Sequence, residues 1–161
     1  MRVINIYKET ICDGPGLRYS IYISGCNHRC EGCHNPQSWN ENEGVLLTPS
    51  FLENILYEIN HNHFLDGVTI SGGDPFFNPK ELFLLLKDIK EKTKKNIWCY
   101  TGYTLEYLLK YDEYAKPLMY IDTLVDGKFI KSLYDPSLMF RGSSNQRIIN
   151  EPYRYVKNRS L

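Results

Sequence analysis

The 161-residue chain has no excess charge of either sign: 19 lysines and arginines stand against 19 aspartates and glutamates. A protein that grips nucleic acid mainly through its phosphates needs a basic surplus, so no nucleic-acid partner is expected. The cations that do cluster lie at 87–95 and in the tail 147–159. No apolar run approaches the roughly 20 residues of a membrane span. No basic segment followed by an apolar stretch opens the chain, so neither a signal peptide nor a membrane partner is expected. Internal repeats and low-complexity linkers are also lacking, and the length suits a single domain over 1–161. Cysteine is scarce and odd in number: Cys12, Cys26, Cys30, Cys33 and Cys99. Three of them within eight residues make a poor disulfide framework and a good metal framework, which points to a reducing, cytoplasmic location.

Hydrophobic periodicity orders the rest. Leu17 to Ser24 carries apolar and aromatic residues at strand spacing between two glycines. Thr48-Pro49-Ser50 opens a helix from Phe51 to about Asn60, capped by Thr48 or Ser50. Gly67 to Ser71 reads as a buried strand ending in Gly72-Gly73. Asn78-Pro79 starts a helix with Leu82, Leu85, Leu86 and Ile89 on one face. Ile97 to Tyr100 is a further strand, Thr104 to about Tyr111 a helix, and Met119 to Val125 a strand. After Asp126 the pattern fades, and Pro136, Gly142 and Pro152 predict irregular structure. This alternation predicts an α/β fold, a partial, open (β/α) barrel or strongly twisted sheet of parallel strands. Active sites of such folds gather at the carboxyl ends of strands. Cys26, Gly72-Gly73-Asp74, Thr101-Gly102 and Asp126-Gly127-Lys128 each follow a strand, so four loops are expected at one edge.

The cysteine loop, Gly25 to Cys33, has the spacing C-x3-C-x2-C. Thiolates are natural ligands of iron–sulfur clusters, and three close ones can wrap a cube at three corners. No fourth cysteine lies nearby, so one iron is expected to stay open, as in a catalytic rather than a structural metal site. The competing reading is zinc, completed by His34 or His28. Structural zinc motifs gather ligands as two separated pairs, and no second pair follows here. Cys12 and Cys99 read as small buried side chains. His61-Asn62-His63, at a helix end, reads as a structural or surface feature.

This loop resembles the signature of the radical S-adenosylmethionine superfamily. The resemblance implies a 4Fe-4S cluster on Cys26, Cys30 and Cys33, with the amino and carboxylate groups of S-adenosylmethionine on the open iron. One electron from the cluster then yields methionine and a 5′-deoxyadenosyl radical. Where the family usually has an aromatic residue before the third cysteine, this chain has Gly32, and His34 offers a ring just after it. Ser71-Gly72-Gly73-Asp74-Pro75 is similar to the family's Gly-Gly-Glu segment, with Asp74 in place of glutamate. Glycine lets backbone carbonyls approach an ammonium group, though a strand-to-helix turn also needs glycine. Asp126-Gly127-Lys128 resembles the Asp-x-Lys element of glycyl-radical-enzyme activases. That implies Lys128 on the methionyl carboxylate and Asp126 orienting the lysine or the amino group; a solvated Asp-Gly turn is the alternative.

Asp13-Gly14-Pro15-Gly16-Leu17-Arg18 is similar to a second activase signature. Phe140-Arg141-Gly142-Ser143-Ser144-Asn145-Gln146-Arg147 resembles that of one branch, the activating components of anaerobic ribonucleoside-triphosphate reductases. Ile97 to Tyr103 and Leu124 to Phe129 fit the same branch, so the resemblance runs from about Asp13 to Ile149. It implies an activase that docks on the large reductase subunit and takes a hydrogen atom from a glycine α-carbon, leaving a stored glycyl radical. Gly32, His34, Gly72, Gly73, Asp74, Asp126 and Lys128 are its implied S-adenosylmethionine contacts. The cofactors carry the chemistry, so no side chain is implied as acid or base. A one-electron donor such as flavodoxin would feed the cluster. An activase of another glycyl radical enzyme and a non-enzymatic zinc-binding adaptor stay as alternatives.

Overall fold

The computed structural model describes residues 1–158; Arg159, in the cationic tail, lies outside the described residues. Seven strands form one sheet: β1 (Arg2–Thr10), β2 (Arg18–Ile23), β3 (Val45–Leu46), β4 (Gly67–Gly72), β5 (Asn96–Tyr100), β6 (Thr123–Asp126) and β7 (Arg147–Asn150). Their spatial order is β3-β1-β2-β4-β5-β6-β7, an open sheet with β3 and β7 at its edges.

The expected parallel arrangement holds for the four central strands, β2, β4, β5 and β6. The edges correct it. β1 runs antiparallel to β2 and β3, and β7 antiparallel to β6, so the sheet is mixed. Residues 11–17 joining β1 to β2 are too few for a crossover, which takes a dozen or more, so those strands must turn back on each other. The two antiparallel strands β1 and β7 escaped the periodicity reading because they bury little: Val3 alone in β1 and no residue in β7. Burial on one face is what imprints a period on a sequence.

Helix α1 (Pro49–His61) starts where Thr48 Oγ1 accepts from the Phe51 N–H at 3.2 Å. Helix α2 (Pro79–Thr93) starts where Asn78 accepts from the Glu81 N–H at 3.3 Å. Each has proline in its first turn, where a missing N–H costs nothing. Leu82, Leu85, Leu86 and Ile89 are all buried against the sheet, each contributing about 1.5–3 kcal/mol of apolar burial. The helix expected over Thr104–Tyr111 is shorter, a single turn α3 (Leu105–Leu108) capped by Thr104, and a second turn, α4 (Asp112–Ala115), follows it. The strand expected from Met119 is shorter, because a 3-10 turn over Lys116–Tyr120 precedes β6. A last helix, α5, covers Tyr153–Asn158. Among the described residues no helix is long and apolar enough to cross a membrane.

Arg18 ties the amino ends of the central strands together. Its buried guanidinium donates to Thr69 Oγ1 (2.6 Å), the Val68 carbonyl (2.8 Å), Asn96 Oδ1 (2.9 Å) and the Pro15 carbonyl (3.1 Å). At the opposite, carboxyl edge, parallel direction brings the loops after β2, β4, β5 and β6 together.

Candidate metal and cofactor site

Those four loops enclose a cavity of about 520 Å³, with Cys26, Gly72, Thr101 and Gly127 each supplying wall. Cys26, Cys30 and Cys33 all line it, and all are free thiols, Cys26 buried and the others half-buried. The loop is shaped locally: the Gly25 N–H donates to the Ser38 carbonyl at 2.7 Å, and the Cys33 N–H to the Cys30 carbonyl at 3.2 Å. Burial pushes the Cys26 thiol up from its ordinary pKa, opposed by the His28 and Arg29 amides. Burial likewise raises Cys30, opposed by the Lys128 ammonium and the Phe129 N–H. A coordinating metal reverses that preference, since it binds the thiolate outright. Among the described residues no three His, Cys, Asp or Glu side chains are gathered tightly enough for a single metal ion. Three free thiols around a cavity of this size suit a multi-atom cluster, so the residues present fit an iron–sulfur centre with three protein ligands.

Gly72 and Gly73 line the same cavity, and packing alone requires both. Gly72 has φ +108°, and a Cβ there would lie 2.3 Å from the Ile23 carbonyl oxygen; at Gly73 it would lie 2.5 Å from that of Gly25. Asp74 is buried, with both oxygens engaged inside the protein. Oδ1 accepts from the Phe76 N–H (2.9 Å) and Thr101 Oγ1 (3.0 Å); Oδ2 accepts from the Gly102 N–H (2.9 Å) and pairs with His28 Nε2 (2.6 Å). One carboxylate thus joins the cysteine loop, the Gly-Gly loop and the loop after β5. His28, which the sequence suggested only as a zinc ligand, is a wall residue held between Asp74 and the edge of the Tyr103 ring, 4.5 Å away between centroids.

The other expected contacts separate. His34 lines the cavity, edge-on to Phe129 at 6.2 Å. Gly32 does not; at φ +74° it lies toward the Lys131 and Phe129 side chains. Asp126 is buried and turned to Arg147, whose Nε donates to Oδ1 at 2.9 Å, and to the Leu105 N–H at 2.7 Å. Lys128 is exposed and lines an outer groove with Glu31 and Lys131. Cys12 overturns its expectation: it is exposed and on the cavity wall, because it belongs to the β1–β2 connection rather than to a strand. Cys99 is buried as expected, and His61 is exposed, stacked on Tyr57.

The segment after β6 closes the remaining side with Leu138, Phe140, Arg141 and Gln146. Gln146 organises it, accepting from the Gly142 N–H (2.9 Å) and Ser143 N–H (3.1 Å) and donating to the Gly127 carbonyl (3.0 Å). The conjunction of glycine, serine and amides in 142–146 signals such a self-bonded loop, but nothing in composition says that it faces a cavity.

Residues 12–149 match the family described as a 4Fe-4S single cluster domain. The chain is 39% identical over 152 residues to the anaerobic ribonucleoside-triphosphate reductase-activating protein of Haemophilus influenzae, covering 92% of this chain and 97% of that one. It is 40% identical over 144 residues to the protein of the same name from Escherichia coli K12, covering 87% and 92%. The Enterobacteria phage T4 protein of that name is 34% identical over 151 residues, covering 92% and 93%. With near-complete coverage on both sides and a cysteine-lined cavity where the cluster motif falls, this chain belongs to the family of anaerobic ribonucleoside-triphosphate reductase-activating proteins.

Proposed function

We propose that this chain is a glycyl-radical activase whose partner is the large subunit of anaerobic ribonucleoside-triphosphate reductase. The observation that carries the reading is the convergence of three free cysteines from one loop on a cavity at the carboxyl ends of parallel strands. In this reading Cys26, Cys30 and Cys33 would hold a 4Fe-4S cluster, and S-adenosylmethionine would bind beside it in the same cavity. When bound, these cofactors supply a one-electron cleavage of the sulfonium, giving methionine and the radical that removes a hydrogen atom from a glycine α-carbon of the reductase.

The chain's own residues bind, shape and shield. Gly72 and Gly73 bring backbone close to the cofactor's amino end, and His34 supplies the ring that Gly32 lacks. Asp74 keeps three loops in register around the cofactor and adds a fixed negative charge near the ammonium. Lys128 lies near Cys30 and favours its thiolate, while Asp126 anchors Arg147 and so the strand that follows the closing segment. Residues 1–161 act as one domain, with the parallel centre of the sheet as an incomplete (β/α) barrel. A flavodoxin-type protein delivers the electron, and the free thiols accord with a cytoplasmic setting.

The test is anaerobic reconstitution, dithionite reduction and assay of 5′-deoxyadenosine, followed by addition of the large reductase subunit. Release of deoxyadenosine and a glycyl-radical signal on that subunit are expected. Deoxyadenosine with a radical only on a formate-lyase-type partner would redirect the activase, and a colourless zinc protein releasing none would end the reading.

A further inference from the structure

We infer that Arg141 holds the carboxylate of the sulfonium amino-acid cofactor. The inference rests on the activase reading above and names the cation that meets the cofactor's acidic end. Arg141 is the sole lysine or arginine among the described residues that line the cavity. Lys128, the cation that the family resemblance points to, is exposed and lines the outer groove instead. Two features of the closing segment point to a ligand for Arg141. Its Nε is buried with no hydrogen-bond partner, while Nη1 donates to the Gln146 carbonyl at 2.9 Å. A buried guanidinium N–H without an acceptor is unfavourable until an acceptor arrives. The preceding residue, Phe140, sits at φ +59°, an outlier conformation for a bulky aromatic side chain. Packing of its ring on Trp98, 5.7 Å between centroids, and the Gln146 bonds hold that conformation. Backbone strain of this kind persists where it presents a functional group.

The chemistry of the wall selects a carboxylate. The acidic groups already lining the cavity are committed elsewhere: Asp13 Oδ1 accepts from the Tyr22 hydroxyl at 2.8 Å, and Asp74 holds its four donors. A guanidinium edge matches a planar carboxylate better than an ammonium does, because two parallel N–H groups meet two oxygens. At the amino-acid end of the cofactor the ammonium is a donor and is repelled, whereas the carboxylate is the anionic acceptor that a guanidinium pairs with most strongly.

The experiment measures the affinity of S-adenosylmethionine and of decarboxylated S-adenosylmethionine for the anaerobically reconstituted protein, by equilibrium dialysis, with iron content and thermal midpoint in parallel. Arg141→Gln is expected to weaken S-adenosylmethionine by about ten- to a hundredfold, the worth of one buried charge-assisted hydrogen bond. It should move the decarboxylated ligand by less than about threefold and leave iron content and midpoint in place; Arg141→Lys should fall between. Lys128→Gln should weaken S-adenosylmethionine far less than Arg141→Gln. The inference is overturned, and the activase reading kept, if Arg141→Gln binds S-adenosylmethionine as the wild type does. Equal weakening of both ligands also overturns it, since that marks a loosened loop. Wild-type protein that carries its cluster and binds neither ligand would remove both the inference and the reading beneath it.

Discussion

Two aspartates at the carboxyl ends of parallel strands, Asp74 after β4 and Asp126 at the end of β6, begin from equivalent positions and are equally buried, each 1% exposed. Their surroundings divide them. Asp74 is met by His28, a hydroxyl and two backbone N–H groups drawn from the loops around the cavity. Asp126 is met by the guanidinium of Arg147, which also grips Glu106 through Nη1 (2.9 Å) and Nη2 (2.8 Å), and by the N–H that opens α3. The first arrangement joins loops around a site. The second fastens the antiparallel edge strand β7 and α3 to the sheet and neutralises its own charge in doing so. A strand-end aspartate is therefore no signature of ligand contact until its partners are known.

Asp126→Ala carries the largest expected loss of stability. Removing one member of a fully buried ion pair costs about 3–5 kcal/mol. Arg147 is 47% exposed and keeps Glu106, so we expect nearer 2–3 kcal/mol by denaturant unfolding. A weakened cofactor affinity at unchanged stability would instead place Asp126 with Asp74. Asp74→Ala should cost less, about 1–2 kcal/mol, because the donors it strands lie beside a cavity that water can enter. Its larger effect is on S-adenosylmethionine, weakened about tenfold with the brown colour of the protein retained. Loss of the colour as well would make Asp74 a support of the cysteine loop.

The smallest effect is at Glu106, whose hydrogen bonds and charge contact with Arg147 hold its carboxyl at about 2 against an ordinary 4.5. A depressed folded-state pKa gives stability that is present above pH 4.5 and is lost as pH falls toward 2. Glu106 is 64% exposed, so the contribution is under about 1 kcal/mol. Glu106→Gln should flatten the acid limb of the stability profile by that small amount, with no change near neutral pH beyond it. An acid limb as steep as wild type would show that the pair contributes nothing.

How much of this was legible in the sequence follows from burial. The central strands and the two long helices bury one face each, and their periods mark them: Leu82, Leu85, Leu86 and Ile89 identified α2, and Thr48 and Asn78 marked the helix starts. The antiparallel strands β1 and β7 bury almost nothing and left no period, so the sheet read as wholly parallel. Within the site, the three cysteines and Gly72-Gly73 were visible because their chemistry or spacing is unusual. Arg141, His28 and Cys12 were not assigned to the wall, because their placement depends on long-range closure of 138–146 and of the β1–β2 connection over the strand ends. Asp126 and Lys128 are adjacent to a glycine in a turn, and the sequence cannot tell which way such a turn faces; here the carboxylate turns to Arg147 and the ammonium to the outer groove.

Metal and sulfide analysis with absorption spectra of anaerobically purified wild type and Cys30→Ala shows whether the three thiols hold a cluster. A brown wild type with about four irons and matching sulfide per chain is expected, and a colourless Cys30→Ala that stays folded and holds neither. A colourless wild type carrying one zinc, or a Cys30→Ala variant that keeps its iron, sulfide and colour, would contradict a cluster held by these thiols.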